Sequence, residues 1–157
     1  MTQELTIEGQ KLIIKRTFAA PAEQVYQAWT DPQQMVQWFR PNIRWNASVF
    51  DIEPVQGGRH IITMRHSDGD EYHNVGRYVE VVPNERISFT WNAAGSTMGG
   101  EETLVTIDFR SVSNGTELTL IHDCQADPKS LESTSQGWAG CLDMFANYLE
   151  GKSQTGV

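Results

Sequence analysis

The sequence predicts an α+β fold in which a curved antiparallel sheet of about seven strands wraps around one long C-terminal helix. Two short helix patterns directly follow the first strand pattern, a long middle region alternates apolar and polar residues between turn signals, and one amphipathic pattern closes the chain. The 157 residues fit one domain that buries roughly 70% of the surface exposed by its unfolded chain. We expect a single domain over residues 1–157, with an ordered core over about 11–150 and loose tails on either side.

The first strand and the two short helices are defined by their composition and by two prolines. Residues 11–18 are rich in apolar and β-branched side chains, as expected of a strand. Pro21 and Pro32 stand where a first helical turn tolerates a missing N–H, and Asp31 can cap the second helix. Apolar side chains recur at helical spacing in both helices, at Val25, Ala28, Trp29, Met35, Trp38 and Phe39.

Six further strands are predicted, at about 43–53, 59–66, 71–82, 86–92, 102–110 and 116–123. Turn residues separate them, at Gly57-Gly58, Asp68-Gly69, Pro83-Asn84 and Asn114-Gly115. Strict alternation assigns an inner face that contains Ile87, Phe89, Trp91, Val105, Ile107, Phe109, Leu118, Leu120 and His122. Over residues 67–82 two inward sets compete, and we favour Tyr72 and Tyr78 over the alternate valines 75, 79 and 81.

The last helix is predicted over about 129–150, after a cap at Asp127 and a first-turn Pro128. Its apolar stripe contains Trp138, Cys141, Leu142, Phe145 and Leu149, which is wide enough to pack across the sheet. Gly137 and Gly140 inside this helix each cost about 1 kcal/mol relative to alanine. They therefore indicate either a close backbone contact or an open space beside the helix.

Composition excludes several function classes. Twelve basic against twenty acidic residues give a net charge of −8, which disfavours nucleic acid and anionic membranes as partners. No apolar run reaches the roughly 18 residues of a membrane span. With two cysteines, no CxxC spacing and no signal-peptide pattern, we expect a reduced, cytoplasmic protein.

The aromatic and aliphatic residues of the predicted inner surfaces are candidates for a ligand cavity. The candidate ligand-binding residues are Trp29, Trp38, Met64, Tyr78, Phe89, Trp91, Val105, Ile107, Leu120, His122, Trp138, Cys141, Leu142 and Phe145. The aromatic set that could line such a cavity is Trp29, Trp38, Trp45, Trp91, Trp138, Phe89, Phe109 and Phe145. Any single tryptophan among them is more often simple packing, but the set as a whole favours a cavity with Trp91 and Trp138 as walls. An apolar or amphipathic small molecule is the expected ligand.

The histidines give two further hypotheses. His66 and His73 flank the Asp68-Gly69 turn and could face each other across a hairpin, but the spacing matches no metal motif, so neither a metal nor a cofactor is expected. An inward His122 could hydrogen-bond a ligand carbonyl or hydroxyl, and the alternative is a buried histidine satisfied by a backbone carbonyl.

Catalytic chemistry has little support in the sequence. No GxSxG, P-loop or dinucleotide motif is present, so no residue is assigned a catalytic role. Arg59 and Glu80 could pair across strands, and Cys124 and Cys141 are expected to be inert buried thiols.

Several short motifs, in this order, carry a family resemblance. They are Ala20-Pro-Ala-Glu-Gln-Val-Tyr-Gln-Ala-Trp29, Asp31-Pro32 before Trp38, Gly57-Gly58-Arg59, Asp68-Gly69, Gly76-Arg-Tyr-Val-Glu-Val-Val-Pro83, Arg86-Ile-Ser-Phe-Thr-Trp91, and Gly137-Trp138 followed by Leu142 and Tyr148-Leu149. From Leu12 to Leu149 the chain resembles the activator-of-Hsp90-ATPase-like branch of the START and Bet v 1 helix-grip superfamily.

The resemblance implies a helix-grip fold with a cavity between the sheet and the C-terminal helix, used elsewhere in the superfamily for lipids, sterols, polyketides and plant hormones. It implies no shared reaction. Two alternatives follow: a stand-alone regulator of an Hsp90-type chaperone, and a cyclase or dehydratase in which His122 moves a proton. The eukaryotic co-chaperones carry a further N-terminal domain for which this chain has no room, which argues against the regulator. Either a monomer or a homodimer joined through a sheet edge is compatible with the sequence.

Overall fold

A computed structural model describes residues 3–91, 93–94, 102–124 and 128–154. The described residues form nine strands and three helices. The strands are β1 (Gln3–Glu8), β2 (Lys11–Phe18), β3 (Trp45–Ile52), β4 (Arg59–His66), β5 (Glu71–Val82), β6 (Arg86–Trp91), β7 (Ala93–Ala94), β8 (Thr103–Val112) and β9 (Gly115–Asp123). The helices are α1 (Ala22–Thr30), α2 (Pro32–Trp38) and α3 (Pro128–Gln154).

The strands form one curved antiparallel sheet in the order β1-β2-β9-β8-β6-β5-β4-β3, with the short β7 paired to β5. The predicted α+β fold class is therefore confirmed. The chain order explains this arrangement, since β3 to β6 are joined in sequence by short turns while β2 is brought beside β9 from the far end of the chain.

The two short helices begin and end where the prolines and the aspartate predict. Pro21 precedes α1 in an extended conformation, and Pro32 occupies the first turn of α2. The side chain of Asp31 accepts a hydrogen bond from the backbone N–H of Gln33 at 3.0 Å, which satisfies one of the free donors of that turn.

The core lies between the sheet and the three helices. Phe145 of α3 is at its centre, with ring centroids 4.9 Å from Phe18, 5.8 Å from Trp29 and 4.5 Å from Trp38. Because these rings come from β2, α1, α2 and α3, one cluster fixes all three helices against the first long strand.

The predicted inward set of β5, Tyr72 and Tyr78, holds as far as Tyr78. The register with β6 shifts between Tyr78 and Glu80, so the prediction is wrong for Val81, which also packs against the core. Tyr78 is 1% exposed, whereas Val75 and Val79 are 60% and 41% exposed. Tyr72 is half-buried and packs against the core. The turns also have the expected geometry, with positive φ at Gly69 (100°) and Asn84 (66°).

The expectation of a loose N-terminal tail is wrong, because residues 3–8 form β1 and pair with β2 in the register Leu5↔Ile14. The apolar side chains of β1 give little burial, since Leu5 and Ile7 remain 43% and 46% exposed. Backbone hydrogen bonds to β2 therefore do most to order this strand. At the other end, α3 continues to Gln154, beyond the predicted end at 150. The predicted helix cap at Asp127 lies outside the described residues, as does Asn92, the last residue of the strand predicted over 86–92.

No helix in the described parts of the chain is both long and apolar enough to cross a membrane.

Candidate functional site

A partly open cavity of about 200 Å³ lies between α3, the inner face of β3 to β6 and the segment that follows α2. The described residues that line it are Phe39, Pro41, Trp45, Met64, Tyr72, Trp91, Ser133, Thr134, Gly137, Trp138 and Cys141. None of these carries a charge, and five of them are aromatic. The lining is therefore that of a site for a largely apolar molecule.

Strand and helix periodicity together place these side chains. Met64 of β4 and Tyr72 of β5 are directly paired across the sheet and point to its inner face. On α3, Thr134, Trp138 and Cys141 are four and three residues apart, so they lie on one face of the helix, opposite the strands.

The two glycines inside α3, Gly137 and Gly140, are explained by different features of the structure. A Cβ at position 140 would overlap the backbone carbonyl oxygen of Pro41, so Gly140 allows α3 to contact the segment after α2 directly. A Cβ at position 137 would meet no heavy atom within 4 Å, because Gly137 lies beside the cavity. Both explanations offered by the sequence are thus present, one at each glycine.

The aromatic rings form a continuous wall around the cavity. Ring centroids are separated by 6.4 Å for Trp45 and Tyr72, 6.1 Å for Tyr72 and Trp91, 5.2 Å for Trp91 and Trp138, and 6.0 Å for Trp138 and Phe39. These are the separations of tilted and edge-to-face aromatic pairs, so each ring is held by its neighbours.

A chain of hydrogen bonds connects both tryptophan walls. Trp138 Nε1–H donates to His122 Nδ1 at 3.0 Å, which leaves the imidazole proton on Nε2, 2.8 Å from Thr103 Oγ1. The Thr103 hydroxyl donates to the carbonyl of Trp91 at 2.8 Å, and Trp91 Nε1–H donates to the Tyr72 hydroxyl oxygen at 3.0 Å. The chain runs from α3 across β9, β8 and β6 to β5 and fixes the orientation of both indoles.

The imidazole of His122 is buried behind the wall and does not line the cavity. Burial lowers its pKa to about 4, so it is neutral near pH 7. Both ring nitrogens bond side chains, Thr103 and Trp138, and not a ligand or the backbone carbonyl of the alternative hypothesis. His122 therefore acts on the cavity through Trp138, and the dehydratase hypothesis has no exposed proton carrier at this position.

Four of the predicted ligand-binding residues line the cavity: Met64, Trp91, Trp138 and Cys141. The others are buried without lining it: Trp29, Trp38, Tyr78, Phe89, Val105, Ile107, Leu120, His122, Leu142 and Phe145. Alternation shows which side chains point inward, but it does not show which part of the interior is left unfilled.

Trp45, a member of the predicted aromatic set, also lines the cavity, whereas Phe109 of that set is buried elsewhere. Six lining residues were not predicted: Phe39, Pro41, Tyr72, Ser133, Thr134 and Gly137. Alternation predicts an inward Tyr72 without placing it at a cavity, and a glycine inside an amphipathic helix is the sequence signal for Gly137. Pro41 carried no signal, because its position depends on the contact with Gly140.

The other polar hypotheses are corrected by the strand register. His73 pairs with Thr63 and His66 lies beside Trp45, so the two histidines do not face each other. Arg59 forms ion pairs with Asp51 (3.0 Å) and Glu53 (3.7 Å), not with Glu80. Within the described ranges, no group of three or more His, Cys, Asp or Glu side chains is placed to hold a metal ion.

The two thiols are poorly suited to nucleophilic chemistry. Burial raises the pKa of Cys141 far above its ordinary value, and burial together with Asp123 raises the pKa of Cys124 to about 11. Both are therefore thiols and not thiolates near neutral pH, as the sequence analysis expected.

A second group of polar side chains is buried deeper in the core. His60 stacks on Phe89 at 3.8 Å between ring centroids, and its ring lies 5.2 Å from that of Tyr78. Neither His60 Nδ1 nor the Tyr78 hydroxyl has a hydrogen-bond partner among the described residues. Burial lowers the pKa of His60 to about 3, so its imidazole is neutral.

The sequence matches a family model described as activator of Hsp90 ATPase homolog 1-like protein over residues 19–150. The chain belongs to this family. A comparison with curated proteins gives no match.

Solved structures agree with the helix-grip fold. A Rhodobacter sphaeroides protein has a TM-score of 0.83 at 24% identity over 96% of this chain and 99% of its own. A Chromobacterium violaceum protein has a TM-score of 0.78 at 27% identity over 88% of this chain and 95% of its own. An AHSA1-like protein from Aeromonas hydrophila has a TM-score of 0.75 at 25% identity over 91% of this chain and 94% of its own. Family membership thus supports a ligand-binding or regulator-type domain.

Proposed function

We propose that this member of the activator of Hsp90 ATPase homolog 1-like family binds an apolar or amphipathic small molecule in the cavity between the sheet and α3. The observation that carries the proposal is an uncharged, largely aromatic cavity of about 200 Å³ beside a helical glycine. In a well-packed interior such a space would be filled by side chains, and leaving it open costs stability unless a ligand occupies it.

The size of the cavity limits the ligand. A cavity of about 150 Å³ accommodates benzene, whereas pockets for drug-sized ligands measure about 300–1,000 Å³. At about 200 Å³, this cavity suits a molecule of one or two rings, or one end of a longer amphipathic molecule that extends through the open side. Burial of the apolar part of the ligand provides the driving force for binding, at about 25 cal/mol per Å² of apolar surface removed from water.

The experiment is to fill the cavity from the helix side. In Gly137→Leu the new side chain would occupy the space beside Trp138, so binding should be lost. Gly151→Leu is the matched control, since Gly151 also lies in α3, has open space around its Cα and does not line the cavity.

Binding can be measured by ligand-detected NMR against naphthalene, indole and decanoic acid. We expect at least one probe to bind the wild-type protein and the Gly151→Leu variant, and to bind Gly137→Leu at least tenfold more weakly. Equal binding to all three proteins would place the site elsewhere, and an absence of binding to the wild-type protein would contradict the proposal.

Chaperone regulation is the second candidate, and the family match favours it. The outer face of the sheet offers a surface for docking, where Val79 of β5 and Leu104 of β8 are exposed and lie in the same shallow depression. Stimulation of an Hsp90-type ATPase by the isolated protein tests this candidate. If Val79→Asp abolished stimulation and Gly137→Leu left it unchanged, the outer face would be responsible.

A further inference from the structure

Two indole N–H groups of the cavity wall are committed to hydrogen bonds within the protein. Trp138 Nε1–H donates to His122, and Trp91 Nε1–H donates to the Tyr72 hydroxyl oxygen. No lining residue in the described part of the chain is charged, so a carboxylate, a phosphate or an ammonium group would find no counter-ion there.

The Tyr72 hydroxyl differs from these two indoles in keeping its own proton free to donate. Its oxygen already accepts the Trp91 N–H at 3.0 Å, and the described residues provide no acceptor for its own proton. Burial raises the pKa of Tyr72 to about 12, so the proton is retained at physiological pH. The bond from Trp91 also restricts the hydroxyl, which makes Tyr72 a pre-oriented donor at the cavity wall.

The rings around this donor favour a flat partner. Tyr72, Trp91 and Trp138 follow one another at centroid distances of 6.1 and 5.2 Å and border the same cavity. Aromatic pairs gain about 0.5–1.5 kcal/mol beyond the burial of their area, so a planar aromatic ligand gains more here than a saturated one of equal size.

We propose that the ligand is a small uncharged aromatic molecule with one hydrogen-bond acceptor, of the aryl ketone or aryl aldehyde type, whose carbonyl accepts the Tyr72 O–H while its ring packs against the cavity-facing sides of Trp91 and Trp138. This rests on the proposed binding function and adds the chemical class of the ligand. Tyr72 is the specificity-determining residue, and the committed indole N–H groups hold the wall in place.

A pair of probes of nearly the same shape tests the proposal. Acetophenone carries a carbonyl where α-methylstyrene carries a methylene group, so only the first can accept a hydrogen bond. We expect Tyr72→Phe to weaken acetophenone binding about fivefold more than α-methylstyrene binding, which corresponds to one neutral hydrogen bond of about 1 kcal/mol. Benzoate, which is planar but charged, should bind the wild-type protein at least tenfold more weakly than acetophenone.

A second measurement does not depend on the stability of the variant. In wild-type protein, a bond from Tyr72 to the ligand should strengthen the bond that Tyr72 accepts from Trp91. The Trp91 indole proton resonance should therefore move downfield with acetophenone more than with α-methylstyrene.

The outcomes separate the ligand class from the binding function. Equal losses for both probes in Tyr72→Phe, equal indole shifts, or benzoate binding as tight as that of acetophenone would overturn the assigned class. Binding of decanoic acid in a Gly137-dependent way without either aryl probe would overturn the class and leave the proposed function standing. If no probe depended on Gly137, both would fail.

Discussion

The indole N–H of Trp138 on α3 donates to Nδ1 of His122 on β9 at 3.0 Å, and both side chains are buried. This bond joins α3 to the sheet at the edge of the cavity. Because the other imidazole nitrogen is bonded to Thr103, which donates to the Trp91 carbonyl, one buried histidine sets the relative position of two cavity walls.

Removal of this histidine should therefore destabilise the fold. In His122→Leu the Trp138 N–H loses its acceptor and the Thr103 oxygen loses its donor inside the core, at about 1–3 kcal/mol for each unsatisfied group. We expect a loss of about 2–4 kcal/mol in the free energy of unfolding, measured by urea titration at pH 7.5. His73→Leu, at a half-exposed position, should cost less than about 1 kcal/mol, and similar losses for the two variants would contradict the network.

The buried histidines also predict how stability depends on pH. Burial lowers the folded-state pKa of His122 to about 4 and that of His60 to about 3, below the unfolded value of about 6.5. Below pH 6.5 the unfolded chain binds protons that the folded protein does not, so stability falls as the pH drops from about 6.5 toward 4.

Each of the two histidines should add about 1.4 kcal/mol per pH unit to this slope near pH 5. Urea titrations at pH 7.5, 6.0 and 5.0 measure the slope. His122→Leu should reduce the slope by the contribution of one histidine. An unchanged slope would mean that His122 is already charged in the folded protein.

The two glycines of α3 should respond to alanine in opposite directions. Gly137→Ala gains helix propensity and meets no atom within 4 Å, so it should stabilise the protein by about 0.5–1 kcal/mol. Gly140→Ala overlaps the Pro41 carbonyl and should destabilise it by about 1–3 kcal/mol despite the same gain in propensity. Thermal unfolding of the two variants side by side gives the sign of each effect, and a stabilising Gly140→Ala would rule out the close contact.

The fold was predictable because local signals agreed with one another. Pro21 and Pro32 defined two short helices, and alternation gave the inward faces of β6, β8 and β9. β1 was not predicted because its apolar side chains, Leu5 and Ile7, stay about half-exposed, so pairing with β2 and not burial orders it.

The cavity was only partly predictable. Trp91 and Trp138 were identified as walls, and Gly137 indicated a space or a contact without deciding between them. The role of His122 required knowledge of tertiary geometry, because its partners Thr103 and Trp138 come from a different strand and from the helix. No pattern within a single element carries that information.

Crystals pressurised with xenon provide the most direct measurement of the central claim, that an accessible apolar space persists between the sheet and α3. A dry apolar cavity binds xenon. We expect one strong xenon site beside Gly137, against the indoles of Trp91 and Trp138, and its loss in Gly137→Leu crystals. Crystals of the wild-type protein with no xenon at this position, and with side chains filling the space, would contradict the account.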